Sequence, residues 1–335
     1  MEDCKSDQPW DFNQLFERLQ SLDPGQLQKV ELRCRELRYS IRSHDAIHSL
    51  RAEPICPRCG FSDSVKNGHA RGLQRYACRV CRKTFSHATD TPISGLRNKG
   101  RLAEFADCMI QGLTVRAAAK KMGISPSTSF RWRHRFLEDA VHHQARARPG
   151  VIEADETYFR ESGKGSRSLG RPARKRGGAA MGKKASGKKA VVKKVAVLVM
   201  KTRGAPYVAD RVLPDMTQKL AMPVAAQIAG KGATLFVDGS GAFRTVEKDL
   251  GIKTVSVAVA YEGPVKMTPY GAAHVQSVNN YHERLKTWLN GDLRGVSTKH
   301  LPNYLAWMRM KEWFKDDAKA EDFIVTALGK QIINT

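Results

Sequence analysis

Hydrophobic residues recur at helical spacing over the first 50 residues of the chain. One helical face carries Phe12, Leu15, Phe16, Leu19 and Leu22, and a second carries Leu27, Val30, Cys34, Leu37 and Ile41. Between the two faces, Asp23 and Pro24 are typical of an N-cap and a first helical turn. The pattern predicts a helical hairpin over 1–50, which we expect to serve packing or self-association rather than chemistry.

The pattern changes along the rest of the chain. Residues 51–90 have little helical period and predict a small β-rich module, whereas 98–148 return to helical spacing with breaks at Gly112 and Gly123. Beyond Gly150, helical segments at 217–229, 242–250 and 275–290 alternate with strand-like segments at 151–159, 191–200, 206–213, 233–238 and 253–260. This alternation predicts an α/β domain over 150–315 with a mixed five-stranded sheet, followed by a C-terminal tail, 316–335.

The charge balance indicates the class of partner. The chain has 57 Lys and Arg against 33 Asp and Glu, a formal net charge of +24, which favours a polyanion and above all nucleic acid. An anionic membrane is the competing partner, but the longest apolar run, Val195 to Met200, is far shorter than the roughly 20 residues that span a bilayer. The first residues do not resemble a secretory signal, so we expect a cytoplasmic protein.

Much of the positive charge lies in one segment of the α/β domain. Residues 162–194 contain 12 Lys or Arg and no Asp or Glu, together with many Gly, Ala and Ser. Such a composition predicts a flexible basic insertion, because it cannot bury enough apolar surface to order itself. The insertion is either a solvated linker or an arm that contacts DNA phosphates, and we favour the arm, with Lys183, Lys184, Lys188 and Lys189 among its contacts.

Four of the seven cysteines form two Cys-x-x-Cys pairs. Cys56 and Cys59 are separated by 18 residues from Cys78 and Cys81, a spacing at which four thiolates can bind one tetrahedral zinc ion. Four cysteine ligands leave no open position, so the ion is expected to be structural, and a redox pair is the weaker alternative. The pattern predicts a zinc ribbon over 51–90. The remaining cysteines, Cys4, Cys34 and Cys108, are expected to be buried thiols.

The helical segment 98–148 has the pattern of a DNA-binding motif. A helix around Ala118 is followed by Gly123 and by Ser125-Pro126, which are typical of a turn and of the next helix start. The pattern predicts a helix-turn-helix whose second helix presents Arg131, Arg133 and Arg135 to the major groove, with Phe130, Trp132 and Phe136 mostly inward. An ordinary three-helix bundle with a basic face is the alternative.

Carboxylates stand at two apolar strands of the predicted α/β domain. Asp155 lies within the strand that begins at Val151, and Asp238 ends the strand Thr234 to Val237. A charged group in such a place needs a partner or a metal ion. Glu153 and Glu156 are expected on the opposite sheet face as surface or structural charges. A later helix carries Asn279 and Lys286 two turns apart, with Glu283 one turn from Asn279.

With these residues the chain resembles the DDE-type transposases of bacterial insertion sequences, specifically their zinc-ribbon-bearing ISXO-like branch. The resemblance runs from Cys56 to about Arg309 and includes the ribbon, Asp155 to Tyr158, Val237 to Gly239, His274 to Asn279, and Ser297 to Leu305. It implies an RNase H-like sheet with Asp155 on its first strand and Asp238 on its fourth. It also implies a bacterial, nucleoid-associated protein that binds double-stranded DNA, both transposon ends and target, as a homo-oligomer, and that catalyses strand cleavage and strand transfer.

The resemblance implies a third ligand on the helix, usually acidic and followed after six residues by Lys or Arg. Asn279 before Lys286 fits the version with Asn, whereas Glu283 could reach the same site but has Asn290 at the corresponding spacing. Asp155, Asp238 and Asn279 would then hold two Mg²⁺ or Mn²⁺ ions. Lys286 would lie near a phosphate, and His274 would contact the scissile phosphate or fix the helix start. The alternatives are a transposase-derived DNA-binding protein without catalysis and a zinc-ribbon RNA-binding protein.

Overall fold

A computed structural model of the chain describes residues 11–49, 53–145, 148–169, 193–239, 241–257, 261 and 263–329. The helices are α1 Phe12–Gln20, α2 Pro24–His48, α3 Leu102–Ile110, α4 Val115–Met122, α5 Pro126–Leu137, α6 Gln218–Ile228, α7 Val246–Leu250, α8 Gln276–Thr287, α9 Leu301–Phe314 and α10 Ala320–Ala327. The strands are β1 Ser64–Ala70, β2 Leu73–Cys78, β3 Thr84–Phe85, β4 Arg148–Arg160, β5 Lys194–Thr202, β6 Val208–Leu213, β7 Ala229–Val237, β8 Lys253–Ser256, β9 Lys266–Thr268 and β10 Gly271–Ala273. They divide into two compact units, the first of 1–87 and 96–105 and the second of 88–95 and 106–335.

The first unit combines the N-terminal helices with a small antiparallel sheet. The Asp23 side chain accepts a hydrogen bond from Gln26 N–H and so begins α2, as the sequence predicts. The sheet has the order β1-β2-β3. Cys34 corrects one prediction: it is exposed on α2 and is not a buried thiol, because α2 buries only its C-terminal part. Cys4 lies outside the described residues.

Helices α4 and α5 of the second unit form the predicted helix-turn-helix. The Thr114 side chain caps α4, which ends at Gly123 in the left-handed conformation with φ of 62°. The Ser125 side chain then accepts a hydrogen bond from Thr128 N–H, and Pro126 occupies the first turn of α5. These local signals confirm the predicted turn. Cys108 on α3 is buried, as expected.

The second unit contains the predicted mixed five-stranded sheet, in the order β6-β5-β4-β7-β8. Strand β4 is central; it pairs antiparallel with β5 and parallel with β7. In the parallel pair, Ala154 lies opposite Val237. Asp155 and Asp238 each follow one residue later, so the register brings them side by side at the same edge of the sheet.

Two elements differ from the sequence prediction. Part of the predicted C-terminal tail, 316–335, is helix α10, whose Phe323, Ile324 and Ala327 are buried. These apolar residues recur at helical spacing, which is why the segment packs instead of trailing into solvent. The hairpin β9–β10 was not predicted, because each of its strands has only three residues. Within the described part of the chain, none of the helices combines the length and apolarity that crossing a membrane requires.

Candidate active site and metal clusters

Asp155 and Asp238 meet at the edge of the sheet where β4 and β7 run parallel. Together with Glu156 they each offer a carboxylate oxygen, and these oxygens lie within 4.8 Å of one another. Burial, and then the negative charge of Asp238, raises the pKa of Asp155 to about 7. Three carboxylates this close repel one another, so the cluster is suited to hold a divalent cation.

The place of Glu156 corrects the prediction that it faces away from Asp155. Val237 ends β7 and pairs with Ala154, so among the described residues Glu156 lies beyond the paired part of the two strands. Its long side chain reaches the aspartates. Burial and the charge of Asp238 raise its pKa as well. Its Oε2 is buried and has no hydrogen-bond partner among the described residues, as expected for an atom that receives a cation.

Glu153 also departs from the prediction, because it lies two residues from Asp155 and so faces the same side of β4. Its side chain is fully buried and pairs with Arg203, with 2.8 Å between Arg203 Nε and Glu153 Oε1. Its Oε2 accepts hydrogen bonds from Ser277 N–H at 2.7 Å and Val278 N–H at 3.2 Å, in the first turn of α8. Glu153 therefore fixes the start of α8 against the strand that carries Asp155.

Helix α8 turns His282 toward the carboxylates. The face of α8 that packs on the protein consists of Val278, Tyr281, His282 and Leu285, whereas Asn279 and Glu283 are exposed. His282 Nδ1 lies 3.6 Å from Asp155 Oδ2, and burial lowers the pKa of His282 to about 4, so the ring is neutral. The sequence analysis missed His282. Its position between Asn279 and Lys286 on one helix could have indicated that it belongs to the site.

His274 lies at the other end of the Glu153 network. Its Nδ1 is 3.4 Å from Glu153 Oε1 and 3.2 Å from Arg203 Nη2, and its carbonyl accepts a hydrogen bond from Arg203. Gln276 N–H also donates to Nδ1 at 3.3 Å. These contacts favour the helix-start role among the two that the sequence left open.

The four paired cysteines converge in the first unit. Cys56 Sγ lies 3.6 Å from Cys81 Sγ, and Cys59 Sγ lies 3.5 Å from Cys78 Sγ, with all four sulfurs within 4.8 Å. Tetrahedral zinc at about 2.3 Å from each sulfur requires separations of about 3.8 Å, so the cluster fits the ion. Phe85 and Tyr76 cover the cluster.

Removing zinc is expected to unfold the ribbon while the second unit stays folded. The reason is that the zinc site makes up most of the ribbon's small core. Four of the five tryptophans lie in the second unit and none lies in 53–87. Chelation should therefore expose the ribbon to trypsin with little change in tryptophan fluorescence. Cys59→Ser should lose the zinc, measured by metal analysis, whereas Cys34→Ser should keep one ion per chain. Purified protein without zinc would contradict the assignment.

The helix-turn-helix presents some of the predicted arginines and buries another. Arg131 and Arg135 are exposed on α5, and Arg135 pairs with Glu138. Arg133 is only 1 % exposed, donates to the Leu113 carbonyl and stacks on Trp307, so it cannot reach a groove. Trp132 and Phe136 are buried, as predicted, whereas Phe130 is 42 % exposed. Arg133 is buried because Trp307 of α9 packs against its guanidinium group. Lys183, Lys184, Lys188 and Lys189 lie outside the described residues.

Two segments of the chain match known protein families. Residues 149–312 match the ISXO2-like transposase domain, and residues 97–141 match a homeodomain-like domain. A protein of Halobacterium salinarum described as "Uncharacterized protein in transposable element ISH50" is 27% identical over 272 residues, which cover 79% of this chain and 87% of that relative. These matches confirm the family resemblance predicted from the sequence.

Proposed function

We propose that the chain binds the ends of an insertion sequence and catalyses metal-dependent DNA cleavage and strand transfer. The proposal follows from the match to an ISXO2-like transposase domain, C-terminal to the match to a homeodomain-like domain. The observation that carries the proposal is the meeting of Asp155 and Asp238, with Glu156, on adjacent parallel strands. A mixed sheet with these aspartates on its first and fourth strands agrees with an RNase H-like domain.

The carboxylates would hold the catalytic metal ions. Held there, two Mg²⁺ or Mn²⁺ ions would supply Lewis-acid chemistry for an in-line displacement at phosphorus, at the attacking and the leaving oxygen. Asp155 and Asp238 supply the charge and hard oxygen ligands that such ions require. Glu153 and Arg203 fix the start of α8, which holds the neutral His282 beside Asp155. Asn279 and Glu283 lie on the exposed face of the same helix.

Two adjoining cavities of the second unit form a basic trough that is suited to binding the DNA. A cavity of about 520 Å³ beside Tyr158 shares Lys164, Arg294, Gly295 and Val296 with a cavity of about 730 Å³ that reaches Pro126 and Phe130 of α5. Among the described residues, the accessible cations lining the two cavities are Arg116, Arg160, Lys164, Lys286, Arg294 and Lys299, and the acidic lining residue is Asp292. This charge suits a phosphate backbone running from the helix-turn-helix toward the aspartates.

DNA affinity is expected to fall steeply with salt, by about 0.9 in log K per unit of log salt for each phosphate neutralised. Deleting 170–189 should flatten that slope if the insertion contacts DNA. The deletion begins after Lys164, because Lys164 Nζ donates to the carbonyls of Leu293 and Arg294. The double substitution Arg294→Gln and Lys299→Gln should lower the slope by up to about 1.8.

The measurement is fluorescence anisotropy of a labelled DNA duplex over a series of salt concentrations. Arg211→Gln, at an exposed arginine that lines neither cavity, serves as the matched control. An unchanged slope in the deletion would show the insertion to be a linker. An unchanged slope in the double variant would show that the trough does not contact the DNA.

The third position on α8 is expected to be Asn279 rather than Glu283. Asn279→Ala should cost more cleavage activity than Glu283→Ala, and Asn279→Asp should retain activity with tighter metal binding, because it restores a charge at the same reach. Titration calorimetry with Mn²⁺ measures the affinity independently of turnover. If Glu283→Ala has the larger effect on both readouts, the third ligand lies one helical turn further on.

The decisive experiment for the proposed function is cleavage of a duplex carrying the element's own terminal sequence, with Mg²⁺ and with chelator. We expect nicks at the element ends with Mg²⁺ only. Binding without cleavage would identify the chain as a transposase-derived DNA-binding protein. Preference for RNA over duplex DNA of the same sequence would favour the RNA-binding alternative.

A further inference from the structure

Helix α2 carries an apolar seam that the described residues of the first unit leave uncovered. Its apolar residues are spaced alternately by three and four residues, at Leu27, Val30, Cys34, Leu37 and Ile41. This is the a and d spacing of a coiled coil, sustained over two heptads. Leu27, Leu37 and Ile41 are 42 %, 46 % and 58 % exposed, and Cys34 is exposed as well.

The anchored face of α2 lies opposite this seam. The buried residues of the helix are Ser43, Ala46 and Ile47, and Ser43 holds α2 in place through its hydroxyl, which donates to the Gly100 carbonyl and accepts from Ala103 N–H. At 100° per residue these three positions lie on the side of the helix roughly opposite Leu27 to Ile41. The seam therefore points away from the contacts that fix α2 within its unit.

Helix α1 does not cover the seam. None of its residues is buried, and Phe12 and Phe16 remain 71 % and 59 % exposed. A long helix that is exposed over its N-terminal two thirds gains little from its own packing, since most helical stability in proteins comes from burying an apolar face. The seam is therefore suited to an occupant with a matching heptad repeat.

We propose that α2 pairs with α2 of a second copy of this chain as an antiparallel coiled coil. A heptad seam is self-complementary, and in the antiparallel arrangement Cys34 packs opposite Leu37 of the second copy and Val30 opposite Ile41. The flanking charges select this direction. Glu31 of each copy meets Arg38 of the other, whereas a parallel pair would bring Arg33 against Arg38 twice.

The pairing is tested by sedimentation equilibrium of the full chain without DNA, so the result does not depend on whether the protein cleaves DNA. We expect a reversible dimer in the wild type and a monomer in Leu37→Glu. Leu32→Glu is the matched control, because Leu32 is 46 % exposed on the same helix but lies outside the seam. A monomeric wild type, or equal dimerisation of both variants, would overturn the proposal. Zinc content of one ion per chain confirms that each variant is folded.

Charge substitutions test the direction of the pair. Arg38→Glu should weaken the antiparallel dimer by placing a second carboxylate against Glu31, and adding Glu31→Arg should restore it. In a parallel pair, Arg38→Glu would instead strengthen the dimer, because it removes the Arg33 to Arg38 repulsion. A stronger dimer in the single variant would therefore overturn the antiparallel arrangement.

Discussion

Asp155→Ala is expected to lower DNA strand cleavage by at least about 10³-fold while binding of element ends survives. Metal ions at such a site contribute several kcal/mol to the transition state, and each 1.4 kcal/mol is about tenfold in rate. Binding should persist because the ribbon and the helix-turn-helix are built from other segments. Asp238→Ala should behave in the same way, since the parallel register makes the two aspartates neighbours.

A second readout separates metal binding from activity. Mg²⁺ or Mn²⁺ should raise the melting temperature of the wild type, because a ligand that binds only the folded state stabilises it. This rise should disappear in Asp155→Ala. Asp215→Ala, at an exposed aspartate outside the carboxylate cluster, should retain both the cleavage and the metal-dependent rise. Cleavage that persists in Asp155→Ala would be fatal to the assignment.

Glu153→Ala is expected to destabilise the catalytic domain by about 3 kcal/mol. Breaking a buried ion pair from one side leaves the other charge without its partner, which typically costs about 3–5 kcal/mol, and partial exposure of Arg203 places the cost at the lower end. The substitution also removes the acceptor for two N–H groups of α8. For a domain of this size, the melting temperature should fall by roughly 6–12 °C.

The matched control for this prediction is Glu161→Ala. Glu161 pairs with Lys193 at 3.2 Å in an exposed ion pair, and such pairs contribute about 0–1 kcal/mol. Thermal unfolding followed by tryptophan fluorescence compares the two variants, since most tryptophans belong to the second unit. Equal melting temperatures for both variants would show that Glu153 does not anchor α8.

The sequence alone determined the features that depend on neighbours along the chain. The Cys-x-x-Cys spacing predicts the cluster at Cys56, and the caps at Thr114 and Ser125 predict the helix-turn-helix. The aspartates could be found because a carboxylate at an apolar strand is conspicuous against its surroundings. The sequence could not establish that the two aspartates lie close together, because their distance depends on the parallel register between β4 and β7.

Tertiary structure alone decided which distant groups each side chain meets. Glu153 finds its partner 124 residues away at Ser277, and the buried Arg133 meets Trp307 of α9. Period and propensity define the faces of a strand or helix, but they contain no information about the element that packs on each face. For the same reason the sequence analysis missed His282, since only the packing of α8 on β4 places its ring beside Asp155.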